Sequence, residues 1–150
     1  MKKIITGIMA LVLLTASATF ANTPDNKNGV AEKVQTSFKK EFSKAENITW
    51  SKVNELYRAQ FVLNGHVVFA FLNEDGEVVS AYRNILSTQL PLQLLSQIKQ
   101  DYSDYWINEL VELTKDKETS YYVSLENGND QIVLKSENGI NWTVYSKIKK

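Results

Sequence analysis

His66 is the only histidine in this 150-residue chain, and there is no cysteine. The side chains that most often carry acid–base, nucleophilic or zinc chemistry are therefore almost absent. A Ser-His-Asp relay would have to run through His66. That residue directly follows Asn64-Gly65, in the position of a hairpin shoulder, and no local motif selects a hydroxyl or carboxylate to work with it. There is no Gly-x-Ser-x-Gly elbow and no phosphate-binding glycine loop. Zinc needs several His or Cys ligands, which one histidine cannot supply. Oxygen ligands gather at Asn73-Glu74-Asp75-Gly76-Glu77 and at Glu126-Asn127-Gly128-Asn129-Asp130. Both stretches are shorter than an EF-hand loop, and their Asn, Asp and Gly content is turn chemistry. The expectation is a protein without catalytic machinery, metal or cofactor.

Aromatic residues remain as the chemistry of recognition. Trp and Tyr anchor interfaces, and the chain has three tryptophans and seven tyrosines. Trp50 and Trp142 are expected in core or sheet packing, whereas Tyr122 and Tyr145 alternate onto a wetter face. Tyr105-Trp106 follows the second helical segment and could seal a joint between two halves.

Met1 to Ala21 has the form of a secretory signal peptide. Lys2-Lys3 form the basic end, Ile4 to Leu14 the apolar run, and small residues allow cleavage after Ala18 or Ala21. No cysteine is available for lipidation, so the mature protein is expected in the periplasm or outside the cell, with no stable membrane insertion. Its packing must suffice without disulfides. Without Lys2 and Lys3 the chain has 15 basic against 17 acidic side chains, a net charge of about −2. No basic stripe exists for nucleic acid.

The elements that must position the aromatic residues appear twice. Residues 22–29 are polar and rich in turn formers, a disordered leader. A helical stripe, Ala31, Val34, Phe38, Phe42 and Ala45, precedes strand-like alternation at Ile48/Trp50, Tyr57/Ala59/Phe61, Val67 to Leu72 and Val78 to Arg83. The separators are Val53-Asn54-Glu55, Asn64-Gly65 and Glu74-Asp75-Gly76, the last a three-residue loop with Gly76 left-handed. A second stripe, Leu94, Ile98 and Tyr102, opens with Ser87-Thr88 as N-cap and Pro91 in the first turn. Strands follow at Trp106 to Thr114, Ser120 to Glu126, Asp130 to Lys135 and Ile140 to Ile148, with hairpins at Lys115 to Glu118, Asn127-Gly128 and Glu137-Asn138-Gly139. The expected fold is α+β: two tandem repeats of about sixty residues, 30–86 and 87–150, each a helix followed by an antiparallel meander of about four strands.

Two-residue Asn-Gly loops set the faces. In the second repeat Tyr121, Val123, Leu125, Ile132, Leu134, Trp142 and Val144 form a core side, and Tyr122, Ser124, Gln131, Val133, Lys135 and Tyr145 a mostly wet side. In the first repeat both sides are apolar: Tyr57, Ala59, Phe61, Val68, Ala70, Leu72 and Val78 on one, Val62, Val67, Phe69, Phe71, Val79 and Ala81 on the other, bordered by Arg58, Gln60 and Arg83. One helix covers one side. The second is either a binding surface with a charged rim or is covered by another part of the chain.

These residues resemble a family. Phe38 and Phe42 before Ile48-Thr49-Trp50, Tyr57-x-Ala59-x-Phe61, Asn64-Gly65, Ala70-Phe71-Leu72-Asn73-x-x-Gly76, Leu90-Pro91, Tyr102 and Tyr121-Tyr122-Val123-x-Leu125 are similar to the PepSY-like, β-lactamase-inhibitor-like family of small exported bacterial proteins. The resemblance spans Val30 to Ile148. It implies two α+β units whose sheets present a broad face, with the helices packed on the other; relatives include inhibitors that grip an enzyme with that face. Leu72-Asn73 stands where the family has Phe-Asp, and Leu90-Pro91 continues into Leu92 without a further signature, so no target is implied.

Two functional expectations follow. The first is a non-enzymatic exported protein that engages another envelope protein through Arg58, Val62, Val67, Phe69, Phe71 and Arg83; self-association through that face would satisfy the same pattern. The second is a small-ligand or envelope-glycan binder with an aromatic pocket between the repeats, built from Tyr105, Trp106 and Tyr122.

Overall fold

The computed structural model describes residues 29–150; the expected signal peptide over 1–21 and all but the last residue of the expected leader over 22–29 lie outside the described residues. The first helix, α1, runs Glu32–Glu41, and four strands follow: β1 (Glu46–Val53), β2 (Leu56–Leu63), β3 (His66–Leu72) and β4 (Val78–Asn84). A short 3-10 turn at Ser87–Gln89 leads into α2 (Leu92–Asp101), then β5 (Trp106–Lys115), β6 (Glu118–Glu126), β7 (Asp130–Ser136) and β8 (Thr143–Lys149). All eight strands form one antiparallel sheet in sequence order. The two halves are therefore continuous, joined where β4 pairs β5 from Ser80↔Lys115 to Asn84↔Val111.

The tight turns follow their residues. Asn64 and Gly65 take φ of 51° and 80° between Leu63 and His66, the geometry of a two-residue type I′ turn. Asp116 and Lys117, at 52° and 66°, do the same between β5 and β6. Gly76 has φ of 83°, and a Cβ there would sit 2.5 Å from the Ser37 hydroxyl oxygen on α1. Glycine at this position thus meets both a backbone and a packing requirement.

Three expected boundaries move. Ser87 and Thr88 do not cap α2. They begin the 3-10 turn, closed by the Leu86 N–H donating to the Gln89 side chain at 2.8 Å, and α2 starts beyond Pro91. The Asn127 turn runs from Asn127 into Asp130, the first residue of β7, because the Asn127 side-chain oxygen accepts from the Asn129 and Asp130 N–H groups. Glu126 then pairs Gln131, two residues from the expected register, which leaves every face unchanged. β8 starts at Thr143, not Ile140. The Asn138 side chain accepts from the Ile140 and Asn141 N–H groups, and Gln97 on α2 binds the Ile140 carbonyl and the Trp142 N–H. The Trp142 indole also donates to the Leu94 carbonyl at 2.9 Å. Those backbone groups are committed to Asn138 and to Gln97 on α2 and cannot join the ladder.

Both helices pack on one face. Val34 and Phe38 of α1 lie on Tyr57, Ala59, Phe61, Ala70 and Leu72, with Phe38 edge-on to Trp50 and Phe61. Leu94 and Ile98 of α2 lie on Leu110, Val123, Leu125, Ile132 and Leu134. Trp50 and Trp142 both pack against these cores, as their alternation requires.

Candidate functional site

The opposite face carries no helix, and its residues follow from the register. Arg58 pairs Phe71, Gln60 pairs Phe69 and Val62 pairs Val67. Phe69 then pairs Tyr82, Tyr82 pairs Leu113, Val111 pairs Tyr122, and Ser124 pairs Val133. A single band crosses the whole sheet, from Arg58 and Phe69 to Tyr122 and Val133.

Within it the rings stack. Phe69 and Tyr82 lie 4.7 Å apart, nearly parallel, and Phe71 also stacks with Tyr82, at 6.2 Å. The Arg58 guanidinium sits 5.5 Å over the Phe69 ring. Toward β7 and β8, Tyr145 stands edge-on to Tyr122 at 5.9 Å, and the Lys135 ammonium lies over the Tyr122 ring while pairing with Glu137.

Arg83 does not border this band. β4 carries one extra residue, Val79, between the pairs Leu72↔Val78 and Phe71↔Ser80. This bulge reverses the parity of all that follows. Tyr82 moves onto the open face, while Ala81 and Arg83 turn to the helix side. There Ala81 packs with the α1 core. Arg83 forms an ion pair with Glu112 at 2.9 Å, at the seam between the helices. Beside that seam is an open groove of about 600 Å³ lined by Ser37, Lys40, Phe42, Val78, Ala81 and Thr114.

The face is also less exposed than an open apolar patch, and in the second half less wet than expected. Phe71 is only 7% exposed, and Val111, Tyr122 and Val133 are 3%, 5% and 8% exposed, with Tyr82 and Leu113 packed against them. The side chains of adjacent strands bury one another, helped by register shifts in β1, β4, β5 and β8 that add twist. Val67, at 48%, and Phe69 keep accessible surface.

Two half-buried charges on this face have no ion-pair partner among the described residues. The Arg58 Nε is fully enclosed and makes no hydrogen bond. Glu109, which shares its side with Val111, has its carboxyl pushed above the ordinary range by burial. The Tyr82 hydroxyl feels both. Burial raises its pKa first of all, the Arg58 charge lowers it, and the Glu109 charge raises it further. Sequence reasoning missed Tyr82, Val111, Leu113 and Glu109. The first was hidden by the bulge, the others by the continuity of the sheet across β4 and β5.

Tyr105, Trp106 and Tyr122 are not brought together. Tyr105 packs with Tyr102 in the α2 core and reaches Asp130. Trp106 lies on the other side, half exposed, under the Lys150 ammonium and paired with Glu126. Glu126 is four residues along β6 from Tyr122, or about 13 Å at strand rise. His66 is exposed at the β2–β3 turn. Among the described residues no group of three or more His, Cys, Asp or Glu could hold a metal ion.

Comparisons with known proteins place the fold. No protein-family model and no curated protein matches the chain. Solved structures do. A BLIP-like protein from Bacteroides fragilis superposes with a TM-score of 0.70 at 17% identity, covering 86% of this chain and 89% of that one. A DUF2874 family protein from Bacteroides uniformis gives 0.70 at 14% identity over 79% and 88%. A candidate periplasmic protein from Bacteroides eggerthii gives 0.68 at 17% over 80% and 88%. The fold is thus the BLIP-like α+β fold, as the sequence resemblance implied. At these identities the likeness concerns the fold alone.

Proposed function

We propose that this is a non-enzymatic exported protein that engages another envelope protein through the helix-free face of its sheet. The observation that carries the reading is the stacked row of Phe71, Tyr82 and Phe69 beside Arg58, on the side away from both helices. Buried aromatic anchors beside an arginine are the usual composition of a binding hot spot. A band already packed against itself is also pre-organised, so little side-chain entropy is lost on docking. Export is supported by the basic and apolar start of the chain, and by the candidate periplasmic location of one structural neighbour. We read the two helix-then-four-strand segments, 30–86 and 87–150, as tandem copies of one PepSY-like unit fused through β4 and β5.

Within this reading Val67 and Phe69 are the accessible apolar contacts and Arg58 the oriented charge. Tyr82 and Leu113 extend the surface into the second half. Arg83 belongs to the seam and serves the fold. The test is affinity capture from the cell envelope with the wild type and a Val67→Ser/Phe69→Ser variant whose fold is verified by circular dichroism. One protein held by the wild type and lost by the folded variant supports the reading. Equal retention by both removes the face from the account.

A further inference from the structure

Building on the protein-binding reading of this face, we propose that Arg58 is a carboxylate receptor: the partner inserts an Asp or Glu side chain, flanked by apolar residues, against the Arg58 guanidinium and the Phe69–Tyr82 stack. Three observations converge on it. The Arg58 Nε is enclosed, which fixes the base of the guanidinium, while the residue as a whole stays partly exposed and makes no side-chain hydrogen bond among the described residues. No carboxylate among the described residues pairs with the guanidinium, whereas the other arginine of the chain, Arg83, pairs with Glu112. The Phe69 ring lies under the cation, and Tyr82 stacks on Phe69, so the guanidinium is held rather than free to swing into solvent.

Arg58 is only partly buried, so its terminal N–H groups can be reached from outside, and a carboxylate that arrives with the partner gains a charge-assisted, bidentate contact there. Lysine could not offer the same planar fork. Lys115 lies on the same cross-strand row as Arg58, through Phe71 and Ser80, and is balanced there by Glu118, its direct partner on β6. Glu109, the other half-buried charge of this face without an ion pair, has the opposite sign and lies beyond Tyr82. A segment acidic along its whole length would meet repulsion there. The complementary segment is therefore acidic at its Arg58 end only, and this fixes its direction across the sheet.

The test uses two probe peptides, acetyl-Leu-Phe-Glu-Leu-amide and its isostere acetyl-Leu-Phe-Gln-Leu-amide, titrated into the ¹⁵N-labelled mature protein at low salt. Arginine Nε–H correlations report on Arg58 directly, and amide shifts of Phe69 and Tyr82 report on the face. The inference predicts that the Glu peptide moves the Arg58 Nε–H resonance and binds about tenfold tighter than the Gln peptide. In Arg58→Gln the preference disappears, and in Arg58→Lys part of it returns. Equal affinities with shifts at Phe69 and Tyr82 would overturn the carboxylate assignment and leave the binding face standing. No shift on this face with either peptide would overturn both.

Discussion

Phe71→Ala and Phe69→Ala separate a face that packs against itself from one that merely lies open. Phe71 is 7% exposed although no helix covers it. Removing a fully buried phenylalanine from a closed core costs about 3–5 kcal/mol, of which burial of the apolar side chain is about 1.5–3 and the unfilled cavity the rest. On the helix-free side, water can enter the space left beneath Tyr82, so the cavity contribution falls away. Phe71→Ala is therefore expected to cost about 2–3 kcal/mol. Phe69 keeps part of its ring accessible and pairs chiefly with Tyr82 and Arg58, so Phe69→Ala should cost about 1 kcal/mol. Equilibrium urea unfolding followed by tryptophan fluorescence measures both. With a slope of about 1.5 kcal/mol per molar, the midpoint falls by about 1.3–2 M for Phe71 and about 0.7 M for Phe69. Equal, negligible losses would refute the self-packing of this face; a Phe71 loss above about 4 kcal/mol would mean the side is closed by further structure.

Other perturbations follow from the same geometry. Gly76→Ala should destabilise by about 2–3 kcal/mol, since it combines positive φ with a clash against Ser37, whereas Gly65→Ala, which meets open space, should cost about 1 kcal/mol; thermal melts of the two variants make the comparison. Trp142→Phe, which removes the hydrogen bond to the Leu94 carbonyl, should cost about 1–2 kcal/mol and increase amide exchange in the loop before β8. Glu109 has a raised folded pKa, so the folded state holds the proton more tightly than the unfolded chain. Its favourable contribution is complete below the ordinary value of 4.5 and is lost as pH rises through the folded pKa. Glu109→Gln should therefore stabilise at pH 7 relative to wild type, with the gain shrinking toward pH 4, as pH-dependent urea midpoints would show. Arg58→Gln removes the charge that lowers the Tyr82 pKa, so spectrophotometric titration should show that tyrosine ionising at still higher pH.

Legibility in the sequence followed the range of the interactions. The turns at Asn64-Gly65 and Gly76 stand where their residue types put them, because positive φ is a local demand, and the Asp116-Lys117 turn stands where the longer spacing of the second half placed it. The helical stripes through Phe38 and Ile98 and the core rows through Phe61 and Leu125 are likewise visible as periodicity. The start of β8 was not, since it depends on Gln97, more than forty residues away, taking the backbone groups of Ile140 and Trp142. One inserted residue, Val79, moved Arg83 from the expected rim to an ion pair with Glu112 and put Tyr82 in its place. Alternation cannot reveal a bulge whose two possible registers both bury apolar residues, and β4 offers valine, alanine and tyrosine to either side.

The central claim is that the helix-free face meets another protein. It is tested most directly by site-specific photocrosslinking in the native envelope, with benzoylphenylalanine placed at Val67 on that face or at Gln93 on the exposed side of α2. A single adduct of defined mass from position 67, absent from position 93 and suppressed by Arg58→Gln, is the predicted result. Adducts of the same mass from both positions, or none from position 67, would contradict it.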